Sequence, residues 1–285
     1  MSFPPESYLI GAQKAGTTTL AYLLDHHPRL TIGQTKEPHF FTDHWSKGLD
    51  WYRKQFPDSD DLLCLDGSTS YAMAPLTPGW KRRDPAVYEG IPAKIHAVSP
   101  DARFIYLLRD PVDRTYSGYW HDVRMGVEKD AFRAAVEDNP FYLDVSDYHG
   151  QLRRWLEHFP LSSFRIVLFE EMKERPDQVV NDCFAFLGLP PVDAIPEDPA
   201  ENQSRQVGWL GRRVNQLEIA FPGLRAVLKS TLPGGVKTLV NKVKTGSDPI
   251  PRMSEDDRRF LADYFRERNQ ALEQLIGRSL EGWRR

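Results

Sequence analysis

The chain has 285 residues, 40% of them apolar and 27% charged, with a formal net charge of −3. An apolar share of this size, including 15 Phe, 11 Tyr and 7 Trp, excludes a disordered chain, and no apolar run reaches the ~20 residues of a membrane span. The near-neutral total excludes a dedicated nucleic-acid binder, which would carry a net basic face. The length sits near the ~250–300-residue limit of a single core, which fits one large domain.

The opening residues Met1-Ser2-Phe3-Pro4-Pro5 lack the basic and apolar regions of a secretory leader. Cys64 and Cys183 both lie in apolar strings and read as reduced core thiols. A cytoplasmic enzyme is the expectation.

In chain order, short apolar runs alternate with helical patterns, the signature of βαβ units. Tyr8-Leu9-Ile10 leads into the turn Gly11-Ala12-Gln13-Lys14-Ala15-Gly16, and a helix begins at Thr17-Thr18-Thr19. Further strands are expected at 62–65, 104–108 and 165–169. Asp110 followed by Pro111 is an N-cap with proline at the first helical position, so a helix starts there. Another runs from Pro176 to Leu187 and ends at Gly188, and Ser254 with Asp257 opens a last helix to about Ile276. Residues 190–205 and 230–252, rich in Pro, Gly and Ser, read as long loops of the kind that form lids.

These elements predict an α/β fold: a single domain over 1–285, with a central parallel sheet flanked by helices and a P-loop-like strand–loop–helix. Residues 8–190 form the core, 190–253 loops and helices that act as a lid, and 254–285 the C-terminal helix. The basic stretch Lys229, Lys237, Lys242, Lys244 and Arg252 reads either as a solvated loop or as a contact with a membrane surface through 229–252.

Gly11 to Thr18 is an anion site by composition. Small residues let the backbone wrap a phosphate, the helix N-terminus favours negative charge, and Lys14 adds a cation. A nucleoside-triphosphate loop would place lysine directly after the second glycine, where Thr17 stands. A Mg-dependent P-loop kinase or NTPase is therefore the alternative reading, supported by Asp66 at the end of an apolar strand as a metal ligand. A third reading is a catalytically inactive nucleotide-binding module.

The stretch from Ile10 to Leu20 resembles the 5′-phosphosulfate loop of sulfotransferases that use 3′-phosphoadenosine 5′-phosphosulfate (PAPS), in the heparan-sulfate-type subgroup and its bacterial relatives. Lys36-Glu37-Pro38-His39-Phe40-Phe41 with Gly48-Leu49-Asp50-Trp51-Tyr52 is similar to that subgroup's E-x-H-F-F … G-L-x-W-Y stretch. Residues 104–119, with Arg109-Asp110-Pro111 and Arg114, Ser117 and Tyr119, resemble its 3′-phosphate motif R-D-P-x-x-R-x-x-S-x-Y.

The resemblance implies transfer of a sulfuryl group to a hydroxyl of a carbohydrate, glycolipid or other small-molecule alcohol, without a metal. It implies cofactor contacts from Gln13, Lys14, Ala15, Gly16, Thr17, Thr18, Thr19, Arg109 and Ser117. Glu37 is implied as general base, with a pKa raised beside the Phe40–Phe41 wall. His39 is the rival base or the group that orients Glu37, and Lys14 meets the charge on the leaving phosphate. Gly67 stands where the glycosaminoglycan enzymes carry a second lysine, and Arg205 or the lysines of the 230–252 loop are the candidates for their later lysine-glycine-arginine segment. Trp45, Trp51, Tyr71, Trp120 and His121 are candidates to line an acceptor cleft.

Overall fold

The central strands are apolar along their whole length, with Tyr8, Leu9 and Ile10 and then Phe104 to Leu108 all buried, as strands covered on both faces must be. A computed structural model describes residues 5–59, 61–81, 83–196 and 250–283, with the backbone of 205–206 and 248–249. Its strands are β1 (Ser7–Gly11), β2 (Leu30–Thr31), β3 (Leu63–Asp66), β4 (Arg103–Leu108) and β5 (Phe164–Leu168), joined in one parallel sheet of order β2-β3-β1-β4-β5. A two-residue antiparallel pair, β6 (Arg205–Gln206) and β7 (Asp248–Pro249), lies outside it.

The described helices are α1 (Thr17–Leu24), α2 (Gly48–Arg53), α3 (Ile91–Val98), α4 (Pro111–Met125), α5 (Phe132–Asp138), α6 (Phe141–Asp144), α7 (Tyr148–Trp155), α8 (Phe169–Glu174), α9 (Pro176–Leu187) and α10 (Glu255–Ile276). The described residues form one α/β domain, as the alternation of their elements predicts. After β1 the chain runs outward to β2 and back to β3, then crosses to β4 and β5. The order therefore reverses at the carboxyl ends of β1 and β4, where open α/β sheets hold ligands.

The expected caps form. The Asp110 carboxylate accepts from the Val112 N–H at 2.9 Å, and Ser254 Oγ accepts from the Asp257 N–H at 3.1 Å. The two-residue β2 escaped the sequence reading because no periodicity can show in so short an edge strand. Cys64 and Cys183 are free thiols. No described helix is long and apolar enough to cross a membrane.

Two cores hold the site between them. The larger lines the sheet; the smaller packs Val112 and Tyr119 of α4 against Phe132, Phe141 and Tyr142 and against Leu261 and Phe265 of α10. Between sheet and site lies Asp66, the last residue of β3 and fully buried. Its Oδ2 accepts from the hydroxyls of Tyr52 (2.6 Å) and Tyr71 (2.7 Å), and Oδ1 accepts from the Ser68 N–H at 2.9 Å. Burial pushes the Asp66 carboxyl up, against the opposing pull of these hydrogen bonds.

Asp66 is thus enclosed by two tyrosines and cannot serve as the exposed Mg ligand that the kinase alternative needs. Tyr71, one of the candidate cleft aromatics, is likewise a core residue, 1% exposed. Asp66→Ala strands two buried hydroxyls and should cost about 3–5 kcal/mol, whereas Asp66→Asn, which keeps an acceptor, should cost less. Urea unfolding of both variants checks this; a loss below about 1 kcal/mol for the alanine variant would contradict it.

Candidate active site

The loop after β1 is shaped to present its backbone. Gly16 adopts φ +95° immediately before α1, and a Cβ there would press on Phe169 and Met172 at 3.0 Å, so glycine is required for both conformation and space. Lys14 is also left-handed, at φ +70°, a conformation unusual for a side-chain-bearing residue and concentrated at functional sites. The Ala15 N–H donates to the Ala12 carbonyl at 3.1 Å and its methyl is buried, so Ala15 shapes the turn from inside. Helix α1 starts at Thr17 with no side-chain cap, and the N–H groups of a first helical turn have no intrahelical partner. Of the three threonines, Thr17 is buried, Thr18 exposed and Thr19 half-buried.

Two arginines clamp this loop from the R-D-P motif. Arg109, at the carboxyl end of β4, donates to the Lys14 carbonyl at 3.2 Å. Arg114, one turn into α4, donates from Nε to the Gln13 carbonyl at 3.1 Å, and from Nη1 to Tyr142 O at 3.2 Å and Ser146 Oγ at 2.8 Å. Arg114 is 0% exposed and its Nη2 has no partner among the described residues. Residue spacing within the R-D-P motif assigns Arg114 no role. Its place one turn after the Asp110 cap, facing the loop, was the available signal.

The local field is strongly positive. Burial first, and then the charges of Arg124, Arg109 and Arg114, lower the Lys14 pKa to about 8. Burial together with Lys14 and three arginines lowers His121 to about 3, leaving it a neutral imidazole. Among the described residues, Lys14, Arg109 and Arg114 form no ion pair with a carboxylate. Half-buried Lys14 and Arg109 with buried Arg114, lacking counter-charges beside a helix N-terminus, fit an anion with more than one charged group.

The K-E-P-H-F-F stretch forms the opposite wall. Phe40 and Phe41 turn into the core, fully buried, while Glu37 stays partly exposed on the site side. Its Oε1 pairs with the Lys36 ammonium at 2.6 Å, and Oε2 accepts from the Thr69 hydroxyl at 2.9 Å and lies 3.6 Å from His39 Nε2. Burial alone would raise the Glu37 pKa. The Lys36 charge and hydrogen bond, with His39 and Thr69, outweigh it and hold the carboxyl below its ordinary value. The expected upward shift is corrected: the phenylalanine wall does not face the carboxylate, and a cation does.

His39 sits at φ +51°, with its N–H donating to Ser68 Oγ at 2.9 Å and its Nδ1 hydrogen-bonded to Ser70 Oγ at 2.8 Å. These contacts turn Nε2 toward Glu37. The two walls meet at Lys36, whose Nζ lies 3.3 Å from Thr17 Oγ1.

Ser117, half-buried on α4, has no hydrogen-bond partner among the described residues and remains available to a ligand. Arg205 pairs through its backbone with Pro249, and the Tyr116 hydroxyl donates to Pro251 O at 3.0 Å, which carries that segment to α4. The Arg205 side chain and Lys229, Lys237, Lys242 and Lys244 lie outside the described residues. Trp45 is exposed and packs on Phe40 and Phe41, Trp51 stacks on Phe40, and Trp120 is half-buried.

The family described as "Sulfotransferase domain" matches residues 4–206. The chain is 28% identical to heparan sulfate glucosamine 3-O-sulfotransferase 6 of Homo sapiens over 291 aligned positions, covering 98% of this chain and 73% of that one. It is 26% identical to the bifunctional heparan sulfate N-deacetylase/N-sulfotransferase 2 of Bos taurus, covering 96% of this chain and 30% of the relative. The crystal structure of a sulfotransferase from Alicyclobacillus acidocaldarius superposes with a TM-score of 0.69 at 25% identity, with both chains covered completely.

Because the Lys14 pKa is lowered to about 8, its ammonium is only partly populated above that pH. A phosphate group bound at the loop stabilises the ammonium and raises its pKa, so binding takes up a proton between the free and bound values. The Lys14 contribution to affinity should be full and independent of pH below about pH 7, and affinity should fall by up to about tenfold per pH unit between the free value near 8 and the raised bound value. Calorimetry in buffers of different ionisation enthalpy measures the uptake, which Lys14→Met should abolish.

Proposed function

This chain belongs to the sulfotransferase family, and we propose that it moves the sulfuryl group of PAPS onto a hydroxyl of a carbohydrate acceptor with Glu37 as the general base. The observation that carries the reading is that Lys14, Arg109 and Arg114, unpaired by carboxylates among the described residues, gather at the loop after β1, and that Lys36 links this loop to a carboxylate–histidine pair.

Bound PAPS supplies the electrophile: its sulfur takes a bond from the acceptor oxygen as the bond to the 5′-phosphate oxygen breaks, and the electron pair leaves with that oxygen. The loop N–H groups, Lys14 and the hydroxyls of Thr17, Thr18 and Thr19 hold the 5′ end, while Arg109 and Ser117 hold the 3′-phosphate. Gln13 and Ala15 set the path of the loop, and Arg114 braces it from behind. Glu37, ionised at neutral pH, takes the acceptor proton on a carboxylate oxygen, and His39 orients that carboxylate through Nε2. Lys14 meets the charge that develops on the leaving phosphate.

A carbohydrate acceptor is supported by the names of the relatives and by Trp45. Trp45, exposed and packed on Phe40 and Phe41 of the same stretch that carries Glu37, offers an apolar platform for a sugar face in this reading.

Arg109→Ala should weaken binding of 3′-phosphoadenosine 5′-phosphate (PAP) about tenfold or more and leave adenosine 5′-phosphate far less affected. Titration calorimetry with both nucleotides checks it, and equal losses would contradict the 3′ assignment. Glu37→Gln should keep PAP affinity and lower single-turnover sulfuryl transfer by about 10²–10⁴. His39→Ala should cost less than Glu37→Gln; the reverse order would make His39 the base.

A further inference from the structure

Lys36 lies at the boundary of the two walls of the site. Its Nζ is 2.6 Å from Glu37 Oε1 and 3.3 Å from the hydroxyl of Thr17, the first residue of the phosphate-binding helix. One ammonium therefore touches both halves of the site, the anion cradle and the carboxylate.

The path of the side chain is built for this. The Gly67 N–H donates to the Lys36 carbonyl at 3.0 Å, fixing the backbone of the KEPHFF turn to the end of β3. The aliphatic stem then crosses the face of Gly67. A Cβ at position 67 would lie 2.8 Å from the Lys36 carbonyl oxygen, 3.1 Å from its Cγ and 3.6 Å from its Cε. Any side chain there would displace the lysine backbone and the stem together, so glycine at 67 is the condition for Lys36 to reach Thr17. With the stem packed and the ammonium held by two oxygens, the cation is already in position before a ligand arrives.

We propose that Lys36 is a second catalytic cation: its ammonium contacts the sulfuryl-bearing 5′ end of the donor beside Thr17 and is shared with Glu37, linking donor occupancy to the proton acceptor. This rests on the reading of donor and base given above. An anion arriving at Thr17 draws the ammonium toward itself, and the Glu37 carboxylate then keeps less of its counter-charge and becomes a stronger base. Without donor, the lysine holds Glu37 ionised and paired. Lys36 serves as a positive charge and a hydrogen-bond donor.

Lys36→Met retains the stem over Gly67 and deletes the charge, and Lys36→Arg retains the charge on a longer fork. Lys36→Met should bind PAP and adenosine 5′-phosphate more weakly by the same factor, about tenfold or more, because the contact is to the 5′ end. Its single-turnover transfer from PAPS should fall about hundredfold or more, with partial recovery in Lys36→Arg. Carboxyl titration of Glu37 by carbon NMR should move upward in unliganded Lys36→Met, and upward in the wild type on adding PAP. Thermal unfolding close to wild type shows that the variant is folded.

Wild-type protein that neither binds PAP nor transfers from PAPS overturns the function and this role with it. Wild-type protein that does both, beside a Lys36→Met variant with unchanged affinity, rate and Glu37 titration, overturns the role of Lys36 alone. A loss confined to PAP and absent for adenosine 5′-phosphate would place Lys36 at the 3′-phosphate and equally overturn the proposal.

Discussion

The carbonyls of Gln13 and Lys14 accept guanidinium hydrogen bonds from Arg114 and Arg109, and the geometry of the whole site follows from those two contacts. A loop that must aim N–H groups at an anion has carbonyls on its other side that need donors. Two arginines supply them from β4 and α4, at the point where the strand order reverses. The fully buried Arg114 also bonds to Tyr142 and Ser146, so the loop, α4 and the smaller core are tied through one guanidinium. Burying a cation without a carboxylate partner is costly for stability, and it is the arrangement that leaves positive potential for a ligand.

The second wall depends on Asp66 in a comparable way. Its carboxylate gathers Tyr52 from the α2 region, Tyr71 from the turn after β3, and the Ser68 N–H of that same turn. The turn in its turn supplies Ser68 and Ser70 to His39 and Thr69 to Glu37. A buried acid thus sets, through one turn, the orientation of a carboxylate and an imidazole on the site side.

Lys36 stands between the two walls. The phosphate-loop side is rich in cations and the other side carries a carboxylate. An ammonium at their boundary lowers the Glu37 pKa in one direction and completes the anion cradle in the other. In the proposed reaction, acid–base and electrostatic roles are therefore coupled through this side chain.

Much of the fold was legible in the chain itself, because βαβ alternation, the Asp110-Pro111 and Ser254 caps and the glycine-bearing loop are local signals carried by adjacent residues. Lys14, Arg109, Ser117, Glu37 and His39 were also legible as candidates, since each lies in a motif whose spacing is short. What lay beyond the sequence were the pairings across it. Only in the kinase alternative did Asp66 read as a metal ligand, a role that Tyr52 and Tyr71 exclude by closing over it. Glu37 read as a carboxylate raised by aromatic neighbours until those rings turned inward and Lys36 turned toward it. Gly67 read as a missing lysine, and only the packed chain shows that a lysine from position 36 passes over it. The sequence by itself determined which residues carry charge and where helices and strands begin. The tertiary structure alone decided which charges meet, because a pKa and a counter-charge depend on distances between residues that are remote in the chain.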